Sequence, residues 1–93
     1  MRDAIVINLK DNVATAVRDL NKDTIVKVEV SGKVLEIKLR DQIKLGHKFA
    51  IKRIRKGEYI IKYGEPIGRA LRDIEIGEHV HIHNVGVLDL PEA

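Results

Sequence analysis

Glycine stands at positions 46, 57, 64, 68, 77 and 86, so the second half of this chain offers no run longer than ten residues between one glycine and the next. A crossover helix joining two parallel strands needs about a dozen residues or more, and this spacing leaves no room for one. The pieces near 48–54, 58–63, 67–71 and 78–84 therefore read as short strands joined by tight turns into a small, irregular antiparallel β fold. Isoleucine and valine dominate an apolar content of 44%, and aromatics supply only 3%, a set that suits pleated, half-buried surfaces. With 33% of its 93 residues charged, the chain has the apolar content of one folded domain and too much for a disordered tail.

The first half adds three elements. Ala4 to Leu9 reads as an interior strand, with Ile5, Ile7 and Leu9 on one face and Ala4 and Val6 also apolar. Asp11 stands where an N-cap belongs, and Val13, Val17 and Leu20 follow at helical spacing, which predicts one short helix over 12–20. Ser31-Gly32 separates two alternating runs, Ile25 to Val30 and Val34 to Leu39, as the turn of a two-residue hairpin. A faint repeat of an apolar anchor, a Gly or Asp three residues on, and then a strand recurs at Leu20, Ile54 and Ile74. Ordinary tight turns in a small β protein give the same look.

The chain has no cysteine, which excludes disulfides, thiolate metal sites and a cysteine nucleophile. The apolar stretch near the N-terminus is too short for a signal sequence or a membrane span, so the expected location is cytoplasmic. The net charge of +3 is unevenly placed: residues 41–72 carry nine Lys or Arg against three acids. Such a field attracts an anion, whether a carboxylate, an acidic partner or nucleic acid. Base stacking wants exposed rings, and Tyr59, Tyr63 and Phe49 are the whole aromatic set, which argues against nucleic acid.

The densest chemistry is Gly77-Glu78-His79-Val80-His81-Ile82-His83-Asn84. On a strand, period two sends His79, His81 and His83 to one face. Imidazoles at i and i+2 lie roughly 6.5 to 7 Å apart at Cβ, within reach of one ion or one substrate, but His79 and His83 are about 13 Å apart on a straight strand, so three ligands need a kink. A solvated, His-rich face is the bland alternative. Gly46-His47-Lys48 offers a proton carrier and a carboxylate partner in a turn. Gly64-Glu65-Pro66-Ile67-Gly68 predicts a tight reversal with Tyr63 and Glu65 at its rim. The run Lys52, Arg53, Arg55, Lys56 reads as a solvated basic face. No phosphate-binding glycine loop, dinucleotide fingerprint, nucleophile elbow or His-Glu-x-x-His is present, so nucleotide cofactors and serine hydrolysis lose support.

Taken together, Asp11-Asn12-Val13-Ala14, Gly46-His47-Lys48, Lys62-Tyr63-Gly64, Ile67-Gly68 and Gly77-Glu78-His79-Val80-His81 with His83-Asn84 resemble the N-terminal domain of the altronate and galactarate dehydratases, in order and spacing, over about residues 4–84. That domain is of the SAF group, named for its likeness to antifreeze and sialic-acid-synthase domains. The resemblance implies an all-β, small SAF-type β-clip fold with one short helix, as an SAF domain over 1–86 and a C-terminal tail over 87–93. In the family a much larger domain follows the His run, whereas this sequence stops nine residues after Asn84. The expectation is thus a small subunit of a split sugar-acid dehydratase, completed by a separate large subunit and inactive alone, with a homo-oligomer also compatible.

The implied reaction is β-elimination of water from a polyhydroxy carboxylate: a base removes the proton α to the carboxylate, cations stabilise the enediolate, and an acid helps the β-hydroxyl leave. The implied catalytic residues are His47, Lys48, His79 and His81; the substrate contacts Asn12, Tyr63, Gly64, Glu65, Gly68 and Asn84; and the metal ligands His79, His81 and His83. The cofactor is a divalent metal, iron, manganese or magnesium, bound together with the large subunit. The small subunit of sulfolactate sulfo-lyase is similar too, so sulfite is a second candidate leaving group. A stand-alone SAF-type binding module for a polyhydroxy acid is the non-enzymatic alternative. Segment 21–42 carries none of the family motifs.

Overall fold

The computed structural model describes residues 3–88, and the last five residues of the expected tail lie outside the described residues. Among the described residues there are nine strands and no helix: β1 Ala4–Ile5, β2 Val13–Ala16, β3 Ile25–Val30, β4 Lys33–Lys38, β5 Lys48–Ala50, β6 Tyr59–Lys62, β7 Glu65–Ala70, β8 His79–Val80 and β9 Val85–Gly86. Six of them form one sheet in the order β4-β3-β1-β2-β5-β8, and β6-β7-β9 form a second. The pairing is antiparallel except between β1 and β3, which run parallel.

The helix expected over 12–20 is a strand. Val13, Ala14 and Ala16 are all buried, and β2 is hydrogen-bonded to β1 on one side and to β5 on the other, so both faces and both edges are used. Four-residue apolar spacing is shared by a helix stripe and a twice-covered strand, and β-branched Val13, Thr15 and Val17 favour the strand. Asp11, placed as the helix cap, instead closes two loops. Its carboxylate accepts from Asn8 N at 3.2 Å and from Gly64 N at 2.7 Å.

The first strand is interior, as its composition implied, but only two residues long. Ile7 and Leu9 beyond it are 63% and 65% exposed. The Ser31-Gly32 hairpin is present with Val30 opposite Lys33. The second reversal falls one step earlier than the glycine–proline pattern suggested: Tyr63 and Gly64 both have positive φ and join β6 to β7, while Pro66 and Gly68 lie within β7.

The faint repeat is a structural unit, and it occurs four times among the described residues. Leu20, Ile43, Ile54 and Ile74 are each buried anchors, joined in two isolated bridges, Leu20 with Ile43 and Ile54 with Ile74. Three residues after each anchor stands a positive-φ position, Asp23, Gly46, Gly57 or Gly77. The next amide closes the turn, as in Glu58 N to Arg55 O at 2.9 Å and Glu78 N to Glu75 O at 3.1 Å. A strand follows in every case.

Two apolar clusters meet on the β2–β5 ribbon. Ala14, Ala16 and Phe49 face the first, with Leu20, Val26, Val28, Leu39 and Ile43. Val13 and Ala50 face the second, with Ile54, Ile60, Ala70, Ile74 and Val80.

Gly77 is the tightest turn position. A Cβ there would lie 2.2 Å from the carbonyl oxygen of Lys38 at φ +90, whereas at Gly57, with φ +87, it would meet nothing within 4 Å. Both substitutions to alanine carry the left-handed penalty of roughly 1–2 kcal/mol. Gly57→Ala should therefore cost about that much, and Gly77→Ala more than about 3 kcal/mol because backbone must also shift. Urea denaturation midpoints of the two variants check this, and equal midpoints would contradict it.

Candidate functional site

Three imidazoles converge where β5 meets β8. The strands pair antiparallel with Lys48 opposite Val80 and Phe49 opposite His79, and one further step along the same register sets His47 opposite His81. Opposed residues share a face, and so do residues two apart, which puts His47, His79 and His81 together beside the buried Phe49. Ring centroids are 4.6 Å apart for His47 and His81, and 5.2 Å for each of the other two pairs. His47 Nδ1 lies 3.0 Å from His79 Nε2. One nitrogen from each of the three rings falls within 4.8 Å of the others.

The strand expected over 78–84 ends at Val80, and 81–84 form a turn. That bend supplies the kink a straight strand lacked. It directs His81 onto His47 and leaves His83 exposed, its ring tilted against that of His79 at 5.3 Å but outside the group of three. The turn is held by Asn84, which is fully buried. Its Oδ1 accepts from His81 N at 2.9 Å, its Nδ2 donates to His79 O at 2.8 Å, and its own amide donates to His81 O at 3.0 Å. The Asp41 carboxylate accepts from His79 N at 2.9 Å. His47 is set by its own turn, where its amide donates to Lys44 O and its carbonyl accepts from Ala16 N, both at 2.9 Å.

Of the substrate contacts expected from the sequence, Asn84 and Asn12 have their amides occupied by backbone. Asn12 Nδ2 donates to Tyr59 O at 2.9 Å and its Oδ1 accepts from Ile61 N at 2.8 Å. Tyr63, Gly64 and Glu65 stand at the tip and flank of the β6–β7 hairpin, in neither of the recesses that border the imidazoles. Gly68 is buried where β7 crosses β9, its position 2.7 Å from Gly86 O for any Cβ. Lys48 does reach the site, in a recess shared with Ile67, His81, Ile82 and Val85. The basic run is a solvated face, with Arg53 paired to Glu75 and Asp73 at 3.1 and 3.4 Å.

Three imidazole nitrogens within reach of one another are a donor set that fits one ion. Two ligands at 2.0–2.1 Å from a tetrahedral centre are about 3.3 Å apart, close to the His47–His79 separation. Nitrogen donors suit iron and its neighbours in the transition series better than magnesium, which prefers oxygen.

This small all-β architecture is of the SAF type. The chain matches the altronate/galactarate dehydratase SAF domain over residues 2–88 and belongs to that family. It is 45% identical over 84 residues to an altronate dehydratase of Bacillus subtilis and 49% identical over 80 residues to that of Escherichia coli, covering 90% and 86% of this chain. It spans only 16% and 15% of the length of those two proteins. It is also 45% identical over 53 residues to the (2R)-sulfolactate sulfo-lyase subunit alpha of Chromohalobacter salexigens, covering 57% of this chain and 56% of that one. These relatives are lyases. No helix among the described residues is long and apolar enough to cross a membrane.

Burial is the first cause that holds the His79 imidazole below the ordinary imidazole range, followed by the neighbouring His47, His83 and His81, with Asp41 acting the other way. His81 is lowered by burial and then by His47, Lys48 and His83. Between the folded and unfolded values the unfolded chain binds more protons, so this contribution to stability falls as pH drops below about 6.5 and is regained toward neutrality. Urea midpoints at about pH 5 and about pH 7.5 should differ in that sense. The difference should shrink in His79→Asn and His81→Asn, and an unchanged difference would show that carboxylates elsewhere cause it.

Proposed function

We propose that this domain is the small subunit of a sugar-acid dehydratase and supplies the imidazole face of an active site completed by a separate, larger lyase chain. The convergence of His47, His79 and His81 on one point carries the reading. A separate larger chain is supported by the subunit alpha relatives, whose length this domain covers by more than half. Loss of water rather than sulfite is supported by the extent of similarity, 90% of the chain with an altronate dehydratase against 57% with a sulfo-lyase subunit.

The reaction is removal of the proton α to a carboxylate, followed by departure of the β-hydroxyl. His47, His79 and His81, together with groups of the larger chain, would hold a divalent metal, iron or manganese in preference to magnesium, which would supply Lewis-acid stabilisation of the charge developing on the substrate carboxylate. The lowered basicity of His79 and His81 keeps both rings neutral at physiological pH, free to ligate or to accept a proton. Lys48 is half-buried, its amine lowered by burial and then by the charge of Lys62. It pairs with the substrate carboxylate at the edge of the cluster, where partial desolvation strengthens the ion pair. Asn84 and Asp41 act as positioning residues through the backbone of the histidine turn.

The isolated chain should show no turnover of altronate or galactarate. In complex with the larger chain, His79→Ala with His81→Ala, and His47→Ala alone, should each lower turnover by more than about 100-fold, since outer-shell changes already cost 10–100-fold. Their melting temperatures without metal should move by only a few degrees. Calorimetric titration of the isolated chain with manganese should give weak 1:1 binding, lost in His47→Ala and kept in His83→Ala. Wild-type turnover by the His79/His81 double variant would defeat the proposal.

A further inference from the structure

The imidazole cluster has two flanks of different character. On one side the recess containing Lys48 and His81 is walled by Ile67, Ile82 and Val85, which offer nothing to a hydroxyl. On the other side His79 and His83 border a groove lined by Arg40, Asp41, Gln42, Arg72 and Glu78. His79 borders the groove and His81 the recess, and their ring centroids are 5.2 Å apart. Arg40 is brought there by its backbone amide, which donates to Gly77 O at 2.9 Å in the turn that begins β8.

The acids and the cations of this groove are not equally committed. Asp41 is bonded to the His79 amide, and Glu78 Oε1 accepts from Glu75 N at 2.9 Å. Arg72 only approaches Glu78 Oε2, at 4.0 Å, with its side chain 60% exposed. No protein acceptor is found for the Arg40 guanidinium among the described residues. Two guanidinium groups, whose planar donor forks match carboxylates, thus stand beside the imidazoles with most of their donors unspent. Gln42 and Glu78 add an amide and a carboxylate of the kind that hydrogen-bonds hydroxyl groups.

We propose that Arg40 and Arg72 recognise a second anionic group at the far end of the polyhydroxy acid, so that the chain prefers dianionic acids to monocarboxylates. The inference rests on the reading that the reacting carboxylate is held at the imidazoles and Lys48. From there the hydroxylated carbon chain runs across His79 into the groove, where the hydroxyls meet Gln42 and Glu78 and the distal anion meets the two arginines. Both residues lie outside the family-like motifs of the sequence.

The test is NMR titration of the isotope-labelled full chain, following the Arg Nε–H and imidazole signals. Galactarate has two carboxylates, altronate has one, and sulfate at matched ionic strength is the control. Galactarate should shift the Arg40 and Arg72 signals saturably and bind about tenfold more tightly than altronate, the ratio expected of one further charge-assisted hydrogen bond. Arg40→Gln and Arg72→Gln should each reduce that preference, and the double variant should remove it, with the amide spectrum of the core unchanged. Equal affinities, sulfate binding as tightly as galactarate, silent arginine signals, or a preference that survives the double variant would each overturn the proposal. Dehydration is not the readout. A failed preference leaves the lyase reading standing, and a selective groove on a chain that supports no dehydration removes the lyase reading alone.

Discussion

The β2–β5 ribbon is buried on both faces, and the rest of the domain is arranged by that fact. Its inward residues are small on both sides, Ala14 and Ala16 toward one core and Val13 and Ala50 toward the other, with Phe49 as the one large side chain. Small residues allow two apolar clusters to close on a single thin layer, each contributing burial energy in proportion to the area removed from water. One consequence is that β1 and β8 lie on the outer edges of the same ribbon. Whatever chemistry follows β8 is therefore set against whatever precedes β5.

The fourfold turn explains how histidines come to stand at that junction. Each turn buries an apolar anchor, reverses at a positive-φ residue and delivers a strand. Two of the four deliver only structure, at Ile25 and Tyr59. The other two deliver His47 with Lys48 and Glu78 with His79, and β5 and β8 are neighbours. A site assembled from the first residues of two paired strands inherits the rigidity of the sheet. Its bonding is supplied by buried Asn84 and by Asp41 rather than by the imidazoles themselves. The ring nitrogens then face one another, His47 Nδ1 3.0 Å from His79 Nε2, a pairing that an ion or a proton shared between the rings would use.

Electrostatics at the site follow from partial burial. Packing His79 and His81 against other imidazoles disfavours protonation of either ring. Lys48 stands on one side of the cluster, and on the other Arg40 and Arg72 stand among Asp41 and Glu78. In the exposed basic run Lys52 to Lys56, Arg53 is paired with Glu75 and Asp73.

The sequence by itself determined the all-β class, the Ser31-Gly32 hairpin and the importance of the His-Val-His run, because glycine spacing, turn chemistry and β-branched composition act locally. It also singled out His47 and Lys48, though not their neighbours. Only the tertiary structure decided that 13–16 is a strand, since a twice-covered strand and an amphipathic helix share the same apolar spacing. It also replaced His83 with His47 in the converging set. Local alternation places His79, His81 and His83 on one face, but the bend held by Asn84 ends the strand, and the pairing of β5 with β8 brings in a histidine thirty-two residues distant in sequence. Asn12 and Asn84 look like ligand contacts in a sequence, because a polar side chain in a motif gives no sign of whether its partner is a substrate or the chain's own backbone. In the fold both side chains bond to backbone, Asn84 within its own turn and Asn12 across to β6, nearly fifty residues away.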